Sequence, residues 1–245
     1  MKGIAKWIYS RYCLLVFALI FLLLFPLFWV LVQRKSWRKQ AITLNHWWAI
    51  LFWKLSFIPV TQEYRSPLNP KGRYVFCANH TSFLDIPLIG LCKNKFVFVG
   101  KSSIAKVPLF GYIFKKIHIT VDRSSLKSKY ETIQRAGAAI DHGICPVMFP
   151  EGGTEKNPPK LDQFKDGAFR IAIEKQIPIV PVTIPYNWII LPNHQGLMVT
   201  RRTSTAIYHK PLPTEGLTLD DLESLKGQVS RIIESELLNH FPYGN

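Results

Sequence analysis

Apolar positions along this chain fall into two regimes that meet near Pro59. Before it lies an unbroken apolar run at residues 12–32 (YCLLVFALIFLLLFPLFWVLV) without one charged side chain. The run reaches the roughly 20 residues that a bilayer-spanning helix needs, with Pro26 placed to kink it. A cleavable signal peptide fits less well. The run exceeds the usual about 7–15 apolar residues and ends in bulky side chains and Arg34-Lys35, with no small-residue cleavage site. Lys2, Lys6 and Arg11 precede the run, and Arg34, Lys35, Arg38 and Lys39 follow it. That balance is too even to set an orientation. Residues 36–58 mix Trp37, Trp47, Trp48 and Trp53 with cations. Indole rings favour the headgroup level, which predicts an interfacial helix; packing on the domain core is the alternative.

Beyond Pro59 short β-rich apolar runs alternate with helical spacing. Strands are expected at Tyr74–Ala78, Phe96–Val99, Ile117–Val121, Pro146–Phe149, Ile179–Ile184, Met198–Thr200 and Thr205–Tyr208. Helices are expected at Phe83–Cys92, Leu126–Asp141, Phe164–Lys175 and Leu219–Leu238, the last opened by Thr218 with Asp221 three residues on, a capping-box pattern. Loops rich in Pro, Gly or Asn fall at 66–72, 152–160 and 191–196. The alternation predicts an α/β fold, a mixed sheet flanked by helices, with an N-terminal hydrophobic membrane-anchoring helical segment. The chain then divides into a hydrophobic membrane anchor over 1–35, a Trp-rich interfacial helix over 36–58 and an α/β domain over 59–245.

Charge narrows the choice of partner. Thirty-one Lys and Arg against 16 Asp and Glu give a net charge of +15 in 245 residues, which favours nucleic acid, anionic lipid or a phosphorylated substrate. Neither zinc-finger spacing nor an aromatic RNA-binding signature is present, so no nucleic-acid partner is expected. Cations beside the apolar segment favour a lipid surface instead. Cys13, Cys77, Cys92 and Cys145 form no CxxC pair and sit among apolar residues. They read as buried small hydrophobes, with no zinc site or disulfide framework.

The chemistry concentrates in Asn79-His80-Thr81-Ser82-Phe83-Leu84-Asp85, which follows an expected strand and opens an expected helix. Such turns place side chains at the sheet edge, where sites form in α/β folds. A neutral imidazole accepts a hydroxyl proton on one nitrogen, while a carboxylate at the other fixes the tautomer and stabilises the imidazolium. Ser82 reads as a helix-start cap. Alone, a His with an Asp five residues later is weak, equally consistent with a loop histidine and a first-turn helix charge. Three further blocks accompany it. Phe149-Pro150-Glu151-Gly152-Gly153-Thr154 ends a buried strand in a glycine turn whose N–H groups suit an anion or oxyanion. Arg123 has the planar fork that suits a phosphate, or else a surface ion pair. Val180-Pro181-Val182 lies within a buried strand.

In this order the blocks resemble the lysophospholipid acyltransferase family, which includes bacterial 1-acyl-sn-glycerol-3-phosphate acyltransferases, over roughly residues 36–210. The resemblance implies His80 as general base and Asp85 as its orienting partner. Substrate binding would fall to Asn79, Arg123, Glu151, Gly152, Gly153, Thr154 and Lys165, and the Val180-Pro181-Val182 block would pack the acyl side. The family's third block usually runs Glu-Gly-Thr-Arg. Here it runs Glu151-Gly152-Gly153-Thr154-Glu155, with no arginine, leaving Lys156, Lys160 or Lys165 as point-charge substitutes. The implied activity is transfer of a fatty acyl chain from acyl-CoA or acyl-carrier protein to a lysolipid hydroxyl, foremost 1-acyl-sn-glycerol-3-phosphate, giving phosphatidic acid in phospholipid biosynthesis. The thioester is a substrate; no cofactor and no metal are expected. The partners are membrane lipids, the lysolipid and the donor, with the catalytic domain on the cytoplasmic side of the cell membrane. The missing arginine raises a lyso-aminolipid acceptor as the alternative. A non-enzymatic lipid-binding protein and a serine lipid hydrolase complete the set, the last lacking a GxSxG elbow.

Overall fold

The computed structural model describes residues 3–154, 157–193 and 196–242. Helix α1 (Gly3–Leu31) runs through Pro26, and a short 3-10 turn at Lys35–Trp37 leads into α2 (Arg38–Ser56). The two fold back on each other. The Tyr9 hydroxyl donates to Ser56 O at 2.8 Å, that of Tyr12 to Leu55 O at 2.7 Å, and Phe17 packs edge-on to Trp48 and Phe52. Ser10, Cys13, Val16, Ile20 and Phe28 form a buried stripe along α1, while Leu15, Leu19, Leu22, Leu23 and Leu27 on its outer side are exposed. In α2, Trp48 and Trp53 are buried and Trp47 is exposed. The Trp-rich segment thus has one face on the core and another open.

The remaining chain builds the sheet from β1 (Val60–Tyr64), β2 (Val75–Ala78), β3 (Phe96–Lys101), β4 (Ile119–Val121), β5 (Cys145–Met148), β6 (Ile179–Thr183) and β7 (Ser204–Tyr208). The helices between and after them are α3 (Asp85–Ile89), α4 (Phe110–Ile117), α5 (Leu126–Asp141), α6 (Gly167–Lys175), α7 (Asn187–Ile190) and α8 (Leu222–His240). Strand order is β1-β7-β6-β2-β5-β3-β4. Every pairing is parallel except β6 with β7, so the sheet is mixed, as expected. Strands β2 and β6 are buried on every residue, as central parallel strands covered by helices must be. Helices α5, α6 and α8 pack together against strands β2, β4, β5 and β6, and α3 and α4 pack with α2. All four cysteines are buried and free.

Helix α5 has the bounds the sequence predicts, with Ser125 Oγ accepting from Ser128 N at 3.1 Å. Before α8, Asp221 Oδ2 accepts from Thr218 N at 2.9 Å, the expected box. Other expectations are corrected. Ile117 ends helix α4 and only Ile119–Val121 pair as a strand. The helix expected over Phe83–Cys92 shrinks to Asp85–Ile89. Met198–Thr200 forms no strand, because Val199 N donates to Ser10 Oγ at 2.8 Å and Thr200 N to Ile190 O at 2.7 Å. Strand β1 is an edge strand absent from the sequence reading, its polar VTQEY register set by parallel pairing with β7.

Candidate active site

Strand β2 ends at Ala78, and the turn after it delivers His80 to the carboxyl end of the central strands. The side chain of Asp85, the first residue of α3, folds back over this turn. Its Oδ2 lies 2.8 Å from His80 Nδ1 and accepts the N–H groups of Thr81 at 2.8 Å and Ser82 at 2.9 Å. Asp85 is fully buried, whereas the His80 side chain keeps 16% of its surface exposed. A buried carboxylate survives when its oxygens are matched by donors. Here they also fix the imidazole with Nδ1 on the carboxylate, leaving Nε2 for proton exchange. On its flat side His80 stacks on Phe149, centroids 4.1 Å apart at 23°.

Two further residues hold the turn. Glu151 Oε1 accepts the His80 N–H at 2.7 Å while Oε2 accepts Asp162 N at 3.1 Å. Asn79 is fully buried; its Nδ2 donates to Ile184 O at 3.1 Å and its Oδ1 accepts Ile184 N at 2.7 Å. The expectation that Asn79 binds substrate is therefore corrected, since both ends of its amide tie β2 to the end of β6. Glu151, also placed in the substrate set, acts on the site by gripping the His80 backbone. Ser82 is buried and its hydroxyl donates to Leu191 O at 2.8 Å, so it is fixed away from a nucleophile's role and serves the turn.

His80, Arg123, Gly152, Gly153 and Thr154 line one cavity of about 630 Å³. Its walls are largely apolar, supplied by Phe17, Phe21 and Phe28 of α1, Trp48 and Phe52 of α2, and Phe110 and Phe114 of α4. Arg123 and Lys165 flank Gly152: a Cβ at that glycine would lie 3.7 Å from each side chain. Gly152 itself sits at φ +83, a conformation glycine adopts without strain. Among the described residues Arg123 forms no ion pair, and burial lowers its pKa from the ordinary arginine value, leaving it a partly desolvated cation at the cavity rim. The N–H of Gly152 is spent on Phe149 O at 3.1 Å, and those of Gly153 and Thr154 make no hydrogen bond among the described residues. Glu155 and Lys156 lie outside the described residues.

The sequence reading missed three contributors. Lys101, the last residue of β3, lines the cavity; its signal was an apolar strand ending in a lysine. His118 is buried in the cavity wall, its Nδ1 accepting Phe98 N at 3.2 Å. Burial, helped by the nearby Arg38 charge, pushes its pKa down to about 3. Asn187 donates from Nδ2 to Asp85 Oδ1 at 2.8 Å, with no local sequence signal.

A family model for acyltransferases matches residues 57–185. A 1-acyl-sn-glycerol-3-phosphate acyltransferase of Chlamydomonas reinhardtii is 30% identical over 210 residues, covering 82% of this chain and 63% of that protein. A chloroplastic 1-acyl-sn-glycerol-3-phosphate acyltransferase of Brassica napus is 29% identical over 139 residues, covering 56% of this chain and 40% of that protein. The chain thus spans less than two thirds of the length of these curated relatives. The crystal structure of the 1-acyl-sn-glycerophosphate acyltransferase PlsC from Thermotoga maritima superposes with a TM-score of 0.81 at 19% identity, covering 100% of both chains, which establishes the shared fold.

Proposed function

The chain belongs to the acyltransferase family, and from that premise we propose that it acylates the free hydroxyl of 1-acyl-sn-glycerol-3-phosphate, using acyl-CoA or acyl-carrier protein as donor, to give phosphatidic acid. The observation that carries this reading is the placement of an Asp85-held His80 where an apolar cavity meets the cations Arg123 and Lys101. The apolar walls suit an acyl chain, and the cations suit a phosphate. That both relatives are 1-acyl-sn-glycerol-3-phosphate acyltransferases supports the same acceptor.

In the mechanism, His80 Nε2 removes the acceptor hydroxyl proton as its oxygen attacks the thioester carbonyl. The N–H groups of Gly153 and Thr154 are the available donors for the oxyanion. The C–S bond then breaks, and the imidazolium returns its proton to the departing thiolate. An ester and a free thiol result, with no acyl-enzyme. Arg123 and Lys165 beside Gly152 take the place of the absent third-block arginine. A lyso-aminolipid acceptor remains the second reading on the strength of that absence.

Helix α1 is long and apolar enough to cross a membrane. It is also tied to the rest of the chain at both ends: Ser10 Oγ accepts Val199 N at 2.8 Å, and Gln33 Nε2 donates to Tyr112 OH at 3.3 Å. Those ties span about 35 Å of helix, as much as the hydrocarbon thickness of a bilayer. We read a helix fastened to one domain over that length as lying along the membrane face rather than crossing it. Phe57, Leu109 and Leu197 are all exposed and all at positive φ, and Phe57 stacks on Tyr12 of α1 with centroids 6.3 Å apart. Holding such residues in that conformation costs about 1 kcal/mol each, which a lipid contact offsets. The surplus of 31 cations over 16 acids favours anionic headgroups, on the cytoplasmic side where thioester donors are found.

The test is acyl transfer from a labelled thioester by purified protein in lipid, offered lysophosphatidic acid and lyso-aminolipids separately. Labelled phosphatidic acid supports the reading. Transfer only to a lyso-aminolipid moves the acceptor assignment to the second reading.

A further inference from the structure

The catalytic pair continues into the fold beyond the matched family segment, which ends at residue 185. Asp85 Oδ2 receives three donors, His80 Nδ1 and the N–H groups of Thr81 and Ser82. Oδ1 receives Asn187 Nδ2 at 2.8 Å. The other end of the Asn187 amide is occupied as well: Oδ1 accepts the Ser204 hydroxyl at 2.6 Å. Asp85, Asn187 and Ser204 are each fully buried.

This arrangement fixes polarity as well as position. A buried amide has two ends, and only the NH₂ end suits a carboxylate. Because Ser204 donates to the oxygen end, the donor end is committed to Asp85. Ser204 is in turn anchored by its N–H to Pro59 O at 2.8 Å, at the start of β7 where that strand pairs with β1. The same segment grips the catalytic turn twice more, through Ser82 Oγ to Leu191 O at 2.8 Å and Asn193 Nδ2 to Thr81 O at 2.9 Å. Asn187 does not line the cavity, so it touches neither substrate.

We infer that Asn187, oriented by Ser204, is a positioning residue that holds the Asp85 carboxylate aimed at His80 during acyl transfer. It rests on the general-base reading above and deepens it. When His80 takes the hydroxyl proton, the imidazolium is stabilised by the carboxylate at Nδ1. A carboxylate whose second oxygen is buried without a donor rotates or takes up a proton, and either change weakens that stabilisation. The effect falls on kcat, because the acceptor and acyl-chain contacts are untouched.

The experiment compares wild type, Asn187→Leu, Asn187→Asp and Ser204→Ala as full-length protein in lipid, with thermal unfolding recorded for each. Asn187→Leu lowers kcat about ten- to a hundredfold with KM for both substrates near wild type. Ser204→Ala gives a smaller loss in the same direction. Asn187→Asp sets two carboxylates side by side, which hold a proton between them at lower pH and repel at higher pH. The ratio of its activity to wild type therefore rises as pH falls. With activity expressed per folded protein at each pH, loss of fold alone does not produce that slope. A wild-type kcat in Asn187→Leu, or an Asn187→Asp ratio flat in pH, overturns the inference. If the wild type shows no His80-dependent transfer at all, the acyltransferase reading fails instead. The brace is then read by NMR of ¹⁵N-histidine-labelled protein: a downfield His80 Nδ1–H signal, lost or shifted in Asn187→Leu, supports it, and an unchanged signal overturns it.

Discussion

The imidazole of His80 lies flat against the ring of Phe149, 4.1 Å between centroids and 23° between planes. Phe149 in turn stacks on Phe98 at 6.2 Å and 10°. The imidazole is thus held edge-on by Asp85 and face-on by an aromatic column rising from β3 and the end of β5. Replacing Phe149 by Ala removes the face contact while sparing the hydrogen bond. Such ring contacts contribute about 0.5–1.5 kcal/mol, so kcat falls about three- to tenfold. Steady-state kinetics check this, and a larger loss in KM than in kcat would contradict it.

On the proposed reading, Arg123, which lines the cavity beside Gly152, holds the acceptor phosphate. Arg123→Ala raises KM for lysophosphatidic acid about tenfold or more, since a charge-assisted hydrogen bond is lost. Arg123→Lys recovers part of that loss, having charge without the fork. Neither variant changes KM for a neutral lysolipid. Parallel titrations with the two acceptors measure the difference.

The tie of α1 to Val199 at one end and Tyr112 at the other predicts that both chain ends face the same side of a membrane. Single cysteines placed at the N-terminus and in α8, in a background where Cys13, Cys77, Cys92 and Cys145 are replaced, label together with a membrane-impermeant maleimide in sealed vesicles. Labelling from opposite sides would return α1 to a spanning role.

His118 gives a pH dependence with a defined sign. Its pKa is lowered by burial from 6.5 to about 3 in the folded protein. Between those values the unfolded chain binds a proton that the folded chain refuses. The stability this neutral histidine contributes is complete above 6.5 and is lost as pH falls toward 3. Melting temperatures recorded between about pH 4 and pH 7 fall more steeply for wild type than for His118→Asn, whose amide oxygen replaces the Nδ1 acceptor. Equal slopes would contradict the assignment.

How much of this was legible in sequence follows from how far apart the partners lie. His80 and Asp85 are five residues apart, so the pair and its chemistry were readable. Helix α5 was readable because its periodicity and its Ser125 cap are both local. Helix α4 was not, since Phe110–Ile117 is rich in aromatic and β-branched residues that favour strands equally. Residues 198–200 carry a strand pattern, and local pattern cannot show Ser10 capturing Val199 from the far end of the chain. The tie of Asn79 to Ile184 is invisible in sequence because its partner lies over a hundred residues downstream. Asn187 and Ser204 are ordinary polar residues until the fold brings them to Asp85.

The central claim is that His80 is the base for acyl transfer to a lysolipid hydroxyl. It is tested most directly by the rate of labelled acyl transfer to lysophosphatidic acid in wild type and His80→Ala, both verified as folded. Loss of a positioned base predicts a fall of about 100- to 10,000-fold in the variant. A His80→Ala protein that keeps most of the wild-type rate would contradict the account.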